Sequence, residues 1–155
     1  MTLTSLAALS LLAAAPPDPT LAIKHRYEQL GTVTKQLDAT GVALWLKANT
    51  TEDLSWRTSR GVSMGQADLA GSQRDLFLIL KKVTGWKYRL TNIAVHPNHI
   101  SCTANVDFAA VTKGKKSYRD STITVETWNK LNGQWKLAVA VTTSERTTLN
   151  GKVVG

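Results

Sequence analysis

The chain has 155 residues, 43% of them hydrophobic and 19% charged, with 19 Lys and Arg against 11 Asp and Glu for a net charge of +8. This is the size and composition of one folded domain with a single core, and it excludes a disordered or low-complexity protein. The positive charge is spread along the chain with no basic tail, so it reads as a solubilising surface before it reads as a nucleic-acid footprint.

Leu6 to Ala15 reads LAALSLLAAA, an apolar run of signal-peptide length that is too short to span a bilayer. No Lys or Arg precedes it and Pro16 follows it directly, so as a signal peptide it is atypical. The expectation is export, to the periplasm or beyond, with residues 1–19 a signal peptide or a helical arm. The alternative is a cytoplasmic protein carrying that arm. The folded domain is then expected over 20–149 with a tail at 150–155, and no integral membrane span.

From Thr20, a suitable N-cap, the residues Ile23, Tyr27, Leu30, Thr34 and Leu37 recur at helical spacing. Gly31, inside that helix, points to close packing against a sheet. Gly41 interrupts the pattern, and a second short helix is expected from Val42 to Ala48, with Val42, Trp45 and Leu46 as its apolar face. Asn49-Thr50-Thr51 is a glycosylation sequon, relevant only in a eukaryotic secretory pathway. A short extended piece, Leu54 to Arg60, ends at Gly61. A third helix is expected from Ala67 to Val83, with Lys81 and Lys82 in its last turn and Gly85 as its stop.

The remainder reads as four strands: Trp86 to Val95, His99 to Val111, Ser117 to Leu131 and Gln134 to Thr148. On the second, Ile100, Cys102, Ala104, Val106, Phe108 and Ala110 share one face, while Ser101, Thr103, Asn105 and Asp107 share the other. Asn132-Gly133 is the strongest hairpin signal in the chain. Trp128 and Trp135 flank it and are expected to clamp the hairpin core. Helices first and long strands after predict an α+β fold, with three N-terminal helices on a strongly curved antiparallel sheet and a pocket at the mouth of the cone.

The single cysteine, Cys102, excludes an internal disulfide and is expected to be a small buried hydrophobe. His25 falls on a polar helix face, and His96 with His99 flank a turn. Two histidines are too few for a metal site, so no metal and no cofactor are expected.

Two segments carry a family resemblance. One is Leu37 to Gly61, containing Thr51-Glu52-Asp53-Leu54-Ser55-Trp56. The other is the hairpin Glu126-Thr127-Trp128-Asn129-Lys130-Leu131-Asn132-Gly133-Gln134-Trp135-Lys136-Leu137. With the element order, they resemble the nuclear transport factor 2-like superfamily, and most of all its small bacterial SnoaL-like members. The resemblance implies a cystatin-like cone whose pocket is lined by the helices and the concave face of the sheet. Enzymatic members, such as ketosteroid isomerases and scytalone dehydratases, combine a carboxylate base with hydrogen-bond donors that stabilise an enolate. Many relatives pair sheet to sheet. Asp53 matches an aspartate that braces the turn near the first strand.

Asp107 and Glu126 are the candidate catalytic carboxylates. Their structural alternative is a cross-strand ion pair with Arg119 on the outer face. Tyr27, Trp45, Trp56, Phe108 and Arg119 are the candidate pocket residues, since aromatic walls with a few polar handles suit a small apolar ligand. The function expected is a non-catalytic SnoaL-like domain that binds a small hydrophobic ligand or a partner. The alternative is an isomerase, dehydratase or cyclase with a pocket carboxylate. A homodimer through the sheet is allowed, and no specific nucleic-acid binding is expected.

Overall fold

The structure, a computed structural model, describes residues 18–154. The expected export segment lies outside the described residues. Among those described, no helix is long and apolar enough to cross a membrane.

Helix α1 (Pro19–Lys35) is capped by Asp18 and not by Thr20: the Asp18 carboxylate accepts from the Thr20 N–H at 2.9 Å, with Pro19 at the first helical position. It buries Ile23, Tyr27, Gly31 and Thr34, the face its periodicity predicts. Gly31 is where the helix meets the sheet, because a Cβ there would lie 2.5 Å from the Trp86 indole. Helix α2 (Ala39–Asn49) starts before Gly41, since Asp38 caps it by accepting from the Gly41 N–H at 2.8 Å. Gly41 therefore lies inside the helix and does not precede it. Asn49, the sequon asparagine, is buried and donates its side-chain amide to the Trp45 carbonyl at 2.9 Å, so it is not a glycosylation site in this fold.

Strand β1 (Thr50–Arg57) follows α2 directly, and β2 (Ser63–Met64) pairs with its end. Helix α3 (Gln66–Ile79) stops four residues short of the expected end, and Leu80 already opens β3 (Leu80–Val95). Leu80 and Val83 are buried as strand residues. Their three-residue spacing satisfies a helix, but it equally satisfies a strand with a bulge, and the register breaks between Leu80 and Lys82. Pairing of Leu80 with Thr112 decides the matter. Gly85 therefore stops no helix; it sits opposite Ala109 on β4, where a Cβ would lie 3.3 Å from the alanine methyl.

The long strands are completed by β4 (His99–Thr112), β5 (Ser117–Leu131) and β6 (Gln134–Leu149), with a short β7 (Lys152–Val153) paired to β6. The sheet order is β2-β1-β6-β5-β4-β3. Strand β1 runs parallel to β6, and the remaining pairs are antiparallel. Bulges on β3 and β6 curl the sheet. The helices cover its concave face, which makes the α+β cone that the element order predicts. At the hairpin, Asn132 and Gly133 both take positive φ, 49° and 77°, as the primed turn requires. The two tryptophans do not clamp each other. Trp128 lies opposite Leu137, while Trp135 lies opposite Lys130, whose ammonium sits 5.7 Å above the indole.

Candidate functional site

Strand parity places the site. On β5 the even-numbered residues from Tyr118 to Trp128 face the helices, and the odd-numbered ones face outward. Glu126 is thus turned inward, between Cys102 on β4 and Ala140 on β6, and it is fully buried.

Its carboxylate is surrounded by donors. Tyr27 on α1 donates its hydroxyl to Oε1 in a short hydrogen bond, and Thr124 donates to the same oxygen at 3.1 Å. The Trp128 indole donates to Oε2 at 2.8 Å, and the Cys102 thiol approaches that oxygen at 3.9 Å. Thr124 and Trp128 reach it because they lie two residues to either side on the same face of β5. Among the described residues no Lys or Arg pairs with Glu126. Burial pushes the Glu126 carboxyl above its ordinary value, and the four donors pull it part of the way back. Burial, and then the neighbouring carboxylate, raise the Tyr27 phenol well above its ordinary value. The same causes lift the Cys102 thiol to about 12, so Cys102 is a buried core residue and not a nucleophile.

Beside this cluster lies a cavity of about 180 Å³. Helix α1 supplies Tyr27, Leu30 and Thr34, and α3 supplies Gln73 and Leu76. Trp56 and Trp86 close it from β1 and β3, Val106 and Phe108 floor it from β4, and Asp120, Thr122 and Thr124 line it from β5. The Trp56 indole donates to Thr142 at 3.1 Å. Asp120 accepts from Thr147 at 2.7 Å on Oδ1 and from Thr122 at 3.0 Å on Oδ2. Tyr88 stacks on Tyr27 with ring centres 5.2 Å apart. Glu126 stands behind this wall and does not line the cavity.

Of the candidate pocket residues, Tyr27, Trp56 and Phe108 lie in the lining of this cavity. Trp45 does not: its indole donates to the Arg26 carbonyl at 2.9 Å, which ties α2 to α1. Arg119 does not either, being odd-numbered on β5 and opposite Ala109 on the outer face. Asp107 is also exposed on that face and accepts from Ser121 at 2.7 Å. The expected grouping of Asp107, Arg119 and Glu126 fails because Glu126 has the opposite parity. Asp107 and Arg119 instead line an open groove of about 710 Å³ with Lys87 and Arg146. Asp53 is exposed on β1, at the register break between Thr50 and Ser55. His25 forms an exposed ion pair with Glu28 at 3.7 Å, and His96 and His99 stack at 4.2 Å. The described residues contain no group of His, Cys, Asp or Glu suited to a metal.

Asp120, Thr122 and Thr124 escaped the sequence reading. Their signal was parity: once Trp128 faces inward, every second residue back along β5 does so too.

Neither a protein-family model nor a curated protein matches the sequence. Solved structures match in fold. A candidate scytalone dehydratase from Novosphingobium aromaticivorans superposes with a TM-score of 0.63 at 15% identity, over 83% of each chain. A nuclear transport factor 2-like protein from Cytophaga hutchinsonii gives 0.59 at 15% identity, over 82% of this chain and 98% of that one. A type 2 hexachlorocyclohexane dehydrochlorinase gives 0.59 at 12% identity, over 88% of each. This chain has the fold of the nuclear transport factor 2-like superfamily, in agreement with the resemblance in its sequence.

Proposed function

We propose that this protein binds a small, mostly apolar molecule of about one ring in the cavity between α1, α3 and the concave face of the sheet. The cavity itself carries the proposal. At about 180 Å³ it is close in size to apolar cavities of roughly 150 Å³ that hold benzene, and it falls below the range of drug-sized sites. Its walls are aromatic and aliphatic, with polar groups from β5 on one side and Thr34 and Gln73 from the helices on the other. A ligand of that size binds with a Kd on the order of 10–100 µM. Binding is favoured over catalysis because Glu126, the most strongly perturbed carboxylate, has both oxygens occupied by protein donors. Titration with toluene, followed by the fluorescence of Trp56 and Trp86, tests this reading. Saturable quenching that Val106→Phe abolishes is the expected result. No response at millimolar toluene, or an unchanged response in Val106→Phe, counts against it.

One observation favours a second reading, an isomerase, dehydratase or cyclase. Asp120 is a carboxylate in the cavity wall, which takes the general-base role away from Asp107 and Glu126. The dehydratase and the dehydrochlorinase that share this fold support that reading by analogy alone. We also propose that two copies pair through the outer face of β5 and β6, where Val125, Val139 and Val141 stand exposed on adjacent strands.

A further inference from the structure

The polar hydrogens on the β5 side of the cavity are already committed. Tyr27 and Thr124 donate to Glu126, and Thr122 donates to Asp120. The Trp56 indole donates to Thr142. A hydroxyl has one proton and two lone pairs, and an ionised carboxylate has lone pairs only. With Glu126 ionised, Tyr27, Thr122, Thr124 and Asp120 therefore turn acceptor capacity, and no proton, toward the cavity, and Thr122 does so whatever the protonation of Glu126 because its proton goes to Asp120. Tyr27 is held in this sense because turning its proton away would strip a bond from a buried carboxylate that has no cationic partner among the described residues. The Trp86 indole N–H has no hydrogen-bond partner, but it packs against α1, where a Cβ at Gly31 would come within 2.5 Å of it. Thr34 and Gln73, on the helical wall, carry both donor and acceptor and impose no polarity.

We infer that the cavity selects a ligand whose polar group is a hydrogen-bond donor, a phenol or an arylamine, over a ring of the same size that can only accept, such as an aryl ether or aldehyde. The inference rests on the cavity being the binding site. A donor group placed against β5 satisfies lone pairs already present. An acceptor-only group sets lone pair against lone pair and loses its water without replacement. The arrangement is opposite in sense to an oxyanion-stabilising pocket, whose hydroxyls must keep a proton free for the ligand.

The test is a calorimetric or NMR titration of the full chain with toluene, phenol, aniline, anisole and benzaldehyde. Phenol and aniline are expected to bind about tenfold more tightly than anisole and benzaldehyde, the effect of one well-made hydrogen bond. In Thr122→Val the ratio of phenol to anisole affinity is expected to fall at least about threefold. Anisole and benzaldehyde binding as tightly as phenol, with toluene also binding, overturns the polarity and leaves the cavity reading intact. Binding by none of the five overturns both. A phenol preference that persists unchanged in Thr122→Val and in Tyr27→Phe also overturns the assignment.

Discussion

At the scale of single residues, Glu126 is the decisive one. It carries a full side-chain carboxylate into the core, and burial raises its pKa above the ordinary value of 4.5. The folded protein then holds this proton more tightly than the unfolded chain does. Stability from this group is present below the ordinary carboxyl range and is lost as pH rises toward the raised folded value. Glu126→Gln removes the titration but leaves one donor, the Trp128 indole or a hydroxyl, without an acceptor. The variant is expected to be less stable than the parent by about 1–3 kcal/mol near pH 4.5, with the gap narrowing toward pH 8. Urea unfolding followed by tryptophan fluorescence across that range checks it. Parallel pH profiles for the two proteins would contradict the assignment of a raised pKa. Gly31 shows the opposite kind of constraint: it matters for the side chain it lacks, because Trp86 occupies that space.

At the scale of elements, the hairpin between β5 and β6 was fully legible. Asn132-Gly133 predicts a primed turn, and both residues adopt it. Gly133→Ala places a Cβ in the left-handed region and is expected to cost about 1–2 kcal/mol. A drop of that size in the free energy of urea unfolding, with toluene affinity retained, would show that the turn stabilises the sheet without shaping the cavity. A neutral Gly133→Ala would mean that the turn relaxes to another type. The buried faces of α1 and α2 were legible for the same local reason, since helical periodicity is written in consecutive residues. The junction of α3 and β3 was not, because the Leu80–Val83 spacing fits a helix and a bulged strand alike. Only the partner strand separates the two. The tryptophans of the hairpin share one face, but the two-residue turn sets Trp135 opposite Lys130 and Trp128 opposite Leu137, so they are offset along the ladder and not directly paired.

At the scale of the whole molecule, the sheet has two faces with different tasks. The concave face holds the cavity and the Glu126 cluster. The outer face carries exposed Val125, Val139 and Val141, and the groove with Lys87, Arg119 and Arg146 also reaches Phe108 and Asp120 of the inner face. If two copies meet on the valines, light scattering after gel filtration is expected to give a dimer mass at tens of micromolar. Val125→Lys with Val141→Glu is expected to return it to a monomer, through burial of charge in an apolar contact. A monomeric parent, or a dimer that survives both substitutions, rules out this interface. The basic groove accounts for part of the net charge of +8 as surface cations that keep the domain soluble.

Composition, periodicity and turn chemistry were sufficient for the fold class, the element order and the alternation that puts Ile100 to Ala110 together on one face of β4. These properties are set by neighbours along the chain, and hydrophobic spacing encodes them directly. Which carboxylate is buried is a different matter. Asp107, Asp120 and Glu126 all lie in strands of similar character. Their separate fates, outer surface, cavity wall and buried cluster, follow from the parity of β5 against β4 and from the helix that arrives over it. That helix brings Tyr27 across 99 positions of sequence to Glu126. The contact exists only once the sheet has curled and α1 has packed onto it through Gly31, because pairing register and helix docking are interactions between segments that no local pattern contains.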